Sequence, residues 1–338
     1  MNYCGIDLAS KLSAVCVLNQ QGTIVREQMV ATEERTLRAA LAGLGRLRCV
    51  VEAAPLAEWI VQVLEEQGHE GIIIDPRRAK AVIQTKNKTD KLDARNLAKL
   101  AQTGWYTTVY RKSAAARLQR THLQARQGLV DTAKAQAARI RGLLRAHGIK
   151  VGPVSAGQFV VWVQQVIAEH APALAPILAP LLCLYEQAQQ AAKALARMIR
   201  QQVRQDPVCR RLMQVPGVGP LVASTYVATL DDPTRFARST HVAAYLGLVP
   251  RVHQSGETHY HGRISKEGDK LLRWLLVEAA HVLLTRTKRT CALKRWGLKL
   301  AKKRGQGKAK VAVAWKLAIL LHRLWVTETP FTPVPSRP

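Results

Sequence analysis

Apolar residues recur with two different spacings along the chain. In the first third they form stretches of strand length, separated by turn residues such as Gln20-Gln21-Gly22, and these alternate with Ala- and Leu-rich segments of helical period. The predicted strands cover residues 2–8, 12–18, 23–30, 48–53 and 70–75. The predicted helices cover residues 33–46, 55–67 and 86–103. Three hairpin strands followed by alternating helices and strands predict a mixed α/β sheet.

The rest of the chain is predicted to be mainly helical. Residues 111–150 and 181–204 have amphipathic helical spacing and predict an antiparallel pair of long helices, joined by a less regular stretch with Pro172, Pro176 and Pro180. Shorter helices are predicted over residues 238–246, 271–286 and 311–325. The predicted domains are an α/β domain (1–112), a segment of long basic helices (113–206), a C-terminal domain (207–326) and a Pro-rich disordered tail (327–338).

Charge narrows the class of partner. The chain of 338 residues has 51 Lys and Arg against 23 Asp and Glu, a formal net charge of +28. This excess indicates a polyanionic partner, nucleic acid first, with a solvated basic surface or a ribosome-associated protein as alternatives. No secretory segment or long apolar run is present, and six scattered Cys form no C-x-x-C pair. We therefore expect a cytoplasmic protein of the bacterial nucleoid, without a membrane partner.

Four acids stand out in this basic chain. Asp7 and Glu52 end two apolar stretches, and Asp90 and Asp93 lie one helical turn apart in the next predicted helix. An unpaired carboxylate in apolar surroundings is costly, and a divalent cation is its natural partner. A ribonuclease-H-like sheet places the first two strands side by side, so the set predicts a site for Mg²⁺, with one or two ions. For Asp90 and Asp93 alone, a favourable charge at a helix N-terminus explains the pattern equally well.

Basic residues cluster in two regions. Residues 111–150 hold ten Lys or Arg and one acid, and residues 279–327 hold thirteen and none. Such faces can follow phosphates, or can simply keep the helices solvated. Residues 212–223 read as helix, turn and helix, a helix-hairpin-helix in which Gly217 and Gly219 permit the turn and backbone N–H groups receive phosphate, although some such hairpins only pack. The candidate contacts on helices are Arg117, Arg120, Lys302, Lys303 and Arg304.

Three motifs link the acids to a known family. Gly5-Ile6-Asp7, Val51-Glu52-Ala53 and Lys88-Thr89-Asp90-Lys91-Leu92-Asp93-Ala94 resemble the DEDD motif of the insertion-sequence-110-type transposases, a group that includes the Piv-type DNA invertases. The resemblance implies a RuvC-like, ribonuclease-H-fold domain whose catalytic, metal-binding tetrad is Asp7, Glu52, Asp90 and Asp93. It also implies that the long helices of residues 113–206 form a coiled coil.

Further motifs resemble the C-terminal transposase domain of that family, so that the likeness covers about residues 3–325. They are Tyr245-Leu246-Gly247-Leu248-Val249-Pro250, Gln254-Ser255-Gly256 and Gly262-Arg263-Ile264-Ser265-Lys266-Glu267-Gly268-Asp269. In the family a serine of the Ser-Gly element is the nucleophile that becomes joined to DNA, which by position is Ser255. The pattern alone makes this segment a polar loop, in which Ser-Gly is ordinarily a turn and Ser265 is a possible helix N-cap.

The same loop is dense in groups that suit phosphate chemistry. Arg251, Arg263 and Lys266 are candidates to hold the phosphate. The candidates for proton transfer are His253, His259 and His261, and the His-x-His pair is only a weak metal pattern.

The resemblance implies a DNA recombinase. Members cleave and exchange DNA strands through a phosphoserine intermediate, in a homo-oligomer (dimer or tetramer) acting on donor and target DNA with Mg²⁺. For the transposase members it also implies a structured non-coding guide RNA, a bridge RNA that pairs with both DNAs. Three rivals stay open: a site-specific invertase of the same family, a junction nuclease that uses only the tetrad, and an architectural nucleic-acid-binding protein.

Overall fold

The computed structural model describes residues 1–75, 89–255 and 258–333, with the backbone alone for 252–255 and 258–261. The chain falls into two compact units, Met1–Lys112 and Ser113–Pro338. The further boundary at residue 206 stays a prediction.

The first unit is built on one five-stranded sheet. Its strands are β1 (Asn2–Asp7), β2 (Leu12–Leu18), β3 (Ile24–Ala31), β4 (Leu47–Glu52) and β5 (Glu70–Ile74). They lie in the order β3-β2-β1-β4-β5, with β1 antiparallel to β2 and parallel to β4, and β4 parallel to β5. The predicted mixed α/β sheet is confirmed.

Helices cover both faces of this sheet. They are α1 (Glu34–Leu41), α2 (Ala57–Glu66) and α3 (Asp90–Thr103). On one face Ile6 shares a core with Leu37 of α1 and Ile60 of α2. On the other face Val50 packs with Leu97 of α3. The middle of each central strand, residues 4–6 of β1 and 49–51 of β4, is therefore buried and free of charged side chains, because both faces of the sheet are covered.

Two long helices and a shorter one form the first part of the second unit. They are α4 (Ala114–Ala146), α5 (Phe159–His170) and α6 (Ala175–Gln205). Ile140 near the end of α4 shares a core with Leu182 near the start of α6, whereas Leu123 shares another with Ile199. The two long helices are therefore antiparallel, as predicted, and a coiled-coil supercoil stays a prediction.

The remaining helices pack around one core. They are α7 (Pro207–Leu212), α8 (Pro220–Leu230), α9 (Ser239–Tyr245), α10 (Lys270–Thr285), α11 (Ala292–Arg304) and α12 (Gln306–Val326). Tyr226 is buried at the centre and donates its hydroxyl hydrogen to the Ala318 carbonyl at 2.6 Å. Among the described residues, no helix has both the length and the apolarity that a membrane span needs.

The polar segment between α9 and α10 was expected to be a loop, and that expectation is wrong. It forms a two-stranded antiparallel hairpin, β6 (Pro250–Ser255) and β7 (Thr258–Ile264). Its sequence is mostly polar, and Val252, Tyr260 and Ile264 are too few to give the sustained alternation of apolar and polar residues that marks a strand.

Three other expectations differ from the structure. Pro180 lies inside α6, and α5 occupies a stretch for which no helix was predicted. Ser265 is not the N-cap of α10; Asp269 is, and its carboxylate accepts a first-turn N–H at 2.7 Å. The tail was expected to be disordered, yet Phe331 packs on the core and donates its backbone N–H to the Gln214 side chain at 2.8 Å.

Candidate active site

Two of the four predicted acids are neighbours across parallel strands. Asp7 is the last residue of β1 and Glu52 is the last residue of β4. Ile6 pairs with Val51, so the two acids occupy the next position along both strands. Both are partly buried. The structure thus places the two carboxylates at one end of the sheet.

Strand alternation puts both acids on the face covered by α3. Side chains two residues apart share a face, so Asp7 lies on the side of Gly5, and Glu52 on the side of Val50. A Cβ at Gly5 would lie 2.1 Å from the carbonyl oxygen of Ala94 and 2.2 Å from the amide nitrogen of Ala98. Only glycine allows α3 to approach the strand this closely, which explains the residue two positions before Asp7.

The other two acids lie in the first turn of α3. Ala94 and Ala98 face Gly5, and the later turn around Ala101 packs near Tyr3. The helix therefore runs against the direction of β1, and its first turn, with Asp90 and Asp93, lies toward the Asp7 end.

Capping fixes where that turn begins. The Thr89 hydroxyl accepts the Leu92 N–H at 3.3 Å, and Thr89 has extended backbone angles. Asp90 is exposed and Asp93 partly buried. The charge of both acids is also favourable at a helix N-terminus, the alternative explanation that sequence left open.

The chemistry of these donors fits a hard divalent cation. All four are carboxylates, and oxygen donors are the ligands that Mg²⁺ prefers. Within the described ranges, however, no three Asp, Glu, His or Cys side chains are close enough together to hold a metal ion. Binding would require the carboxylates to turn toward one another.

One basic residue of α3, Arg95, is already engaged by the sheet. Arg95 forms a two-bonded ion pair with Glu27 of β3, at 2.5 and 2.7 Å. This hydrogen bonding lowers the pKa of the Glu27 carboxyl. Arg95 therefore joins α3 to the sheet through Glu27.

A further acid at the same end of the sheet was missed by the sequence reading. Asp75 directly follows β5, beside the register pair of Glu52 and Ile74, and its backbone N–H donates to the Thr107 carbonyl at 3.1 Å. The sequence does contain a signal for Asp75, because this acid follows an apolar strand just as Asp7 ends one. Ile73 packs on the α1–α2 side, and alternation puts Asp75 on that side, away from the face of α3.

Ser255 lies at the tip of the hairpin of the second unit. It is the last residue of β6 and pairs with Thr258, the first residue of β7. Across the strands, His253 pairs with Tyr260, while His259 and His261 lie on β7. The side chains of residues 252–261 and all of Gly256 and Glu257 lie outside the described residues.

The base of the hairpin is held by close backbone packing. Gly247 has φ +63°, and a Cβ there would lie 2.3 Å from the Glu267 carbonyl oxygen. Gly268 has φ +72°, and a Cβ there would lie 2.0 Å from the Tyr245 carbonyl oxygen. The chain segments before and after the hairpin thus touch backbone to backbone, which only glycine permits.

Arg273 of α10 ties the same two segments together. Its guanidinium donates to the Leu246 carbonyl at 3.0 Å and to the Glu267 carbonyl at 2.6 Å. Partial burial lowers the pKa of this guanidinium. Sequence reasoning missed this residue, since nothing in an amphipathic helix marks the basic side chain that turns back to bind carbonyls.

The three predicted phosphate-holding residues flank the hairpin. Arg251 is exposed and donates to the Ser265 carbonyl at 3.1 Å. Arg263 and Lys266 are exposed, and Lys266 has a positive φ of 60°. All three are on the hairpin that carries Ser255 or at its base.

The two glycines of the predicted helix-hairpin-helix have different surroundings. A Cβ at Gly217 would lie 2.5 Å from the Ala279 carbonyl oxygen, so this glycine allows close packing on α10. Gly219 directly precedes α8, and a Cβ there would meet nothing within 4 Å. Gly219 is therefore the position that leaves a helix N-terminus open to a ligand.

The basic residues on helices that were predicted to contact nucleic acid also differ in their surroundings: some are engaged within the fold and others are exposed. Arg120 bonds Asp269 at 2.8 Å and the Thr229 hydroxyl at 3.0 Å, so it is engaged within the fold. Arg117 is partly buried on the same helix. The exposed candidates form the last turn of α11: Lys302, Lys303 and Arg304.

Comparison with known proteins gives a consistent result. Residues 4–149 match a family described as "Transposase", the DEDD transposases of the IS110 type, and residues 209–296 match "Transposase IS116/IS110/IS902 family". A "Probable family 20 transposase" of Pseudomonas aeruginosa is 32% identical over 98% of this chain and 99% of its own length.

Two further relatives carry similar descriptions. The "Transposase for insertion sequence element IS1111A" of Coxiella burnetii is 29% identical over 95% of this chain and 88% of its own length. The "Putative transposase y4pF/y4sB" of Sinorhizobium fredii is 28% identical over 88% of this chain and 76% of its own length. The chain with the paired strand-end acids and the serine hairpin belongs to the IS110/IS116/IS902 family of insertion-sequence transposases, enzymes that recombine DNA.

Proposed function

We propose that this transposase cleaves and rejoins DNA strands with Ser255 as nucleophile and with Asp7, Glu52, Asp90 and Asp93 as a Mg²⁺-binding set. The observation that carries the metal half is the strand register that sets Asp7 beside Glu52 under the first turn of α3. The serine half is supported by the position of Ser255 at a hairpin tip whose base is tightly packed.

The reaction balances as a transesterification. The Ser255 Oγ attacks the phosphorus atom of a DNA phosphodiester. A bond between Oγ and phosphorus forms as the bond between phosphorus and a deoxyribose oxygen breaks, and the released strand ends in a hydroxyl. A hydroxyl of another strand then attacks the phosphoserine, which restores the serine and joins the new strands. Arg251, Arg263 and Lys266 would neutralise the phosphate, and one of His253, His259 and His261 would accept the serine proton.

Bound Mg²⁺ would supply Lewis-acid stabilisation of the phosphate charge. Its ligands would be the four carboxylates. The tetrad and the serine act in one reaction, and in an oligomer they can come from different protomers.

We further propose that α6 provides the seam for self-association. Ile177, Leu184, Ala191 and Met198 recur every seven residues along this helix, and all four are exposed. A stripe at one heptad position supplies half of the a/d seam through which two helices pair. Light scattering should report a dimer or tetramer for the wild type and a smaller species for Leu184→Glu. An unchanged mass for the variant would refute the proposal that α6 is the self-association surface.

Guidance by a non-coding RNA is the remaining part of the proposal. It is supported by the family resemblance and by the charge of +28, which suits either polymer. Protein purified with its co-bound RNA should lose strand exchange after ribonuclease treatment and regain it when that RNA is returned. Undiminished strand exchange after complete digestion of the RNA would refute guidance by RNA.

Strand transfer by matched variants tests the catalytic proposal. Ser255→Ala and Asp7→Ala should each abolish transposition, while Ser265→Ala, a serine at the base of the same hairpin, should keep it. Strand cleavage that survives in Ser255→Ala but not in Asp7→Ala would favour a junction nuclease that uses only the tetrad. Activity in both variants would favour an architectural protein.

A further inference from the structure

A groove lies between α4 and α6. Within the described chain, its lining residues fall between positions 126 and 200 and include neither the four acids nor the serine hairpin. Its volume is about 540 Å³. Small side chains line it from both helices: Ala133 and Ala137 from α4, and Ala192 and Ala196 from α6. A cavity of this size accommodates a group of small-molecule dimensions, such as one nucleotide.

The groove is rimmed by positive charge. Its basic residues are Arg126, Lys134, Arg141, Lys193 and Arg200, and none of the described residues that line it is acidic. Five cations around an apolar floor, without a carboxylate to balance them, call for an anionic occupant that also has an apolar part.

One of the cations is held in position by an aromatic ring, and a second has a buried polar atom that a ligand could satisfy. The Arg141 guanidinium lies over the Phe159 ring, 4.8 Å from its centroid, and Phe159 is itself packed against Tyr185 at 5.0 Å. Arg126 is partly buried, and its buried Nε has no hydrogen-bond partner within the described part of the chain. An unpaired buried donor of this kind is costly, and a phosphate oxygen would satisfy it.

An exposed aromatic ring lies close to one of these rim cations. Trp274 of α10 is 45% exposed, and the Lys134 ammonium lies 5.8 Å from its centroid. Exposed Trp beside basic residues is the usual platform for stacking an unpaired base.

We propose that this groove holds an unpaired nucleotide of a single DNA strand, with its phosphates on the five cations and its base on the apolar floor or on Trp274. A duplex presents phosphates but hides its bases, so it would leave the apolar floor uncovered. DNA is chosen because the family recombines DNA. The inference rests on family membership and not on the roles of Ser255 or the tetrad.

A second copy of the chain is a poorer occupant. The exposed heptad stripe of α6 that starts at Ile177 lies roughly 140–160° around the helix, nearly half a turn, from the groove residues Lys193 and Arg200. A partner of net charge +28 would also meet five cations of the same sign.

The first test is the salt dependence of binding to an oligothymidylate, with a matched pair of variants. Arg200 lines the groove and Arg197, one turn earlier on α6, does not, and both are exposed. Arg200→Ala should lower the slope of log affinity against log salt by about 0.7, the value for one phosphate contact of a single strand. Arg197→Ala should leave the slope unchanged. Equal slopes for the two variants would overturn the proposal.

The second test fills the apolar floor of the groove and leaves its five basic residues unchanged. An oligonucleotide with 4-thiothymidine should form a photo-crosslink to groove residues or Trp274, mapped by mass spectrometry. Ala196→Phe should abolish that crosslink and leave crosslinks elsewhere, with an unchanged melting temperature as the check on folding. A crosslink that persists in Ala196→Phe, or one that forms only with an RNA oligonucleotide, would overturn the proposal. Neither result bears on strand transfer by Ser255.

Discussion

Replacing Gly5 with alanine should uncouple the acid set without removing any acid. The added Cβ would lie 2.1 Å from the Ala94 carbonyl oxygen and 2.2 Å from the Ala98 amide nitrogen, both backbone atoms of α3. The helix must retreat by about 1 Å before this contact reaches the 3.0 Å that Cβ atoms rarely go below. Its first turn carries Asp90 and Asp93, so these carboxylates move away from Asp7.

The size of the effect follows from that shift. A misplacement of about 1 Å at a reacting centre costs on the order of 100-fold in rate, and overpacking of a core costs about 1–3 kcal/mol of stability. We therefore expect Gly5→Ala to weaken binding of Mn²⁺, measured by electron paramagnetic resonance as a probe for Mg²⁺, and to lower transposition by about two orders of magnitude.

A second glycine of the same sheet provides the control. A Cβ at Gly71 of β5 would lie 2.5 Å from Val61 Cγ1, on the face of α2. Gly71→Ala should therefore also destabilise the unit but keep Mn²⁺ binding. Wild-type Mn²⁺ affinity in Gly5→Ala, or an equal loss in both variants, would refute the reasoning.

Three further outcomes are expected. Thr89→Ala removes the N-cap of α3 and should cost about 1 kcal/mol of unfolding free energy in denaturant titration, together with some Mn²⁺ affinity; no change in either would mean that the cap does not position the acids. Arg273→Met removes the Nη1 group that donates to both carbonyls and should lower transposition with little change in Mn²⁺ affinity, whereas normal transposition would show that the hairpin base holds without the bridge. Glu27→Gln should reduce the loss of unfolding free energy that accompanies a fall in pH. The pKa of the Glu27 carboxyl is lowered in the folded state by Arg95, so the stability from this pair is present above pH 4.5, the ordinary pKa, and is lost as pH falls below it. Unfolding curves for the variant and wild type that stay parallel below that pH would contradict this.

Sequence reasoning located Asp7 and Glu52 at strand ends because that signal is local. Asp7 and Glu52 each end an apolar run, and an apolar run ending in an acid is visible in any single strand. Their adjacency needs the pairing of β1 with β4, which a ribonuclease-H-like order supplies and the register confirms.

The features that sequence missed depend on contacts between distant residues. Arg120 is on the solvated side of an amphipathic pattern, yet Asp269 and Thr229 bind it, and no helical period reveals partners so far along the chain. The serine hairpin lacks a sustained alternation of apolar and polar residues because its strands are mostly polar. Gly217 looks like a turn glycine, while its tightest constraint is the carbonyl of Ala279.

The most direct test of the central claim is the chemical identity of the protein–DNA link. Purified transposase is incubated with donor DNA and Mg²⁺, denatured and digested, and the DNA-bearing peptide is sequenced by mass spectrometry. The account predicts a nucleotide on Ser255 that forms in the wild type and is lost without Mg²⁺ or in Asp7→Asn. Strand exchange without a nucleotide on Ser255, or an adduct on Ser255 that forms equally in Asp7→Asn, would contradict it.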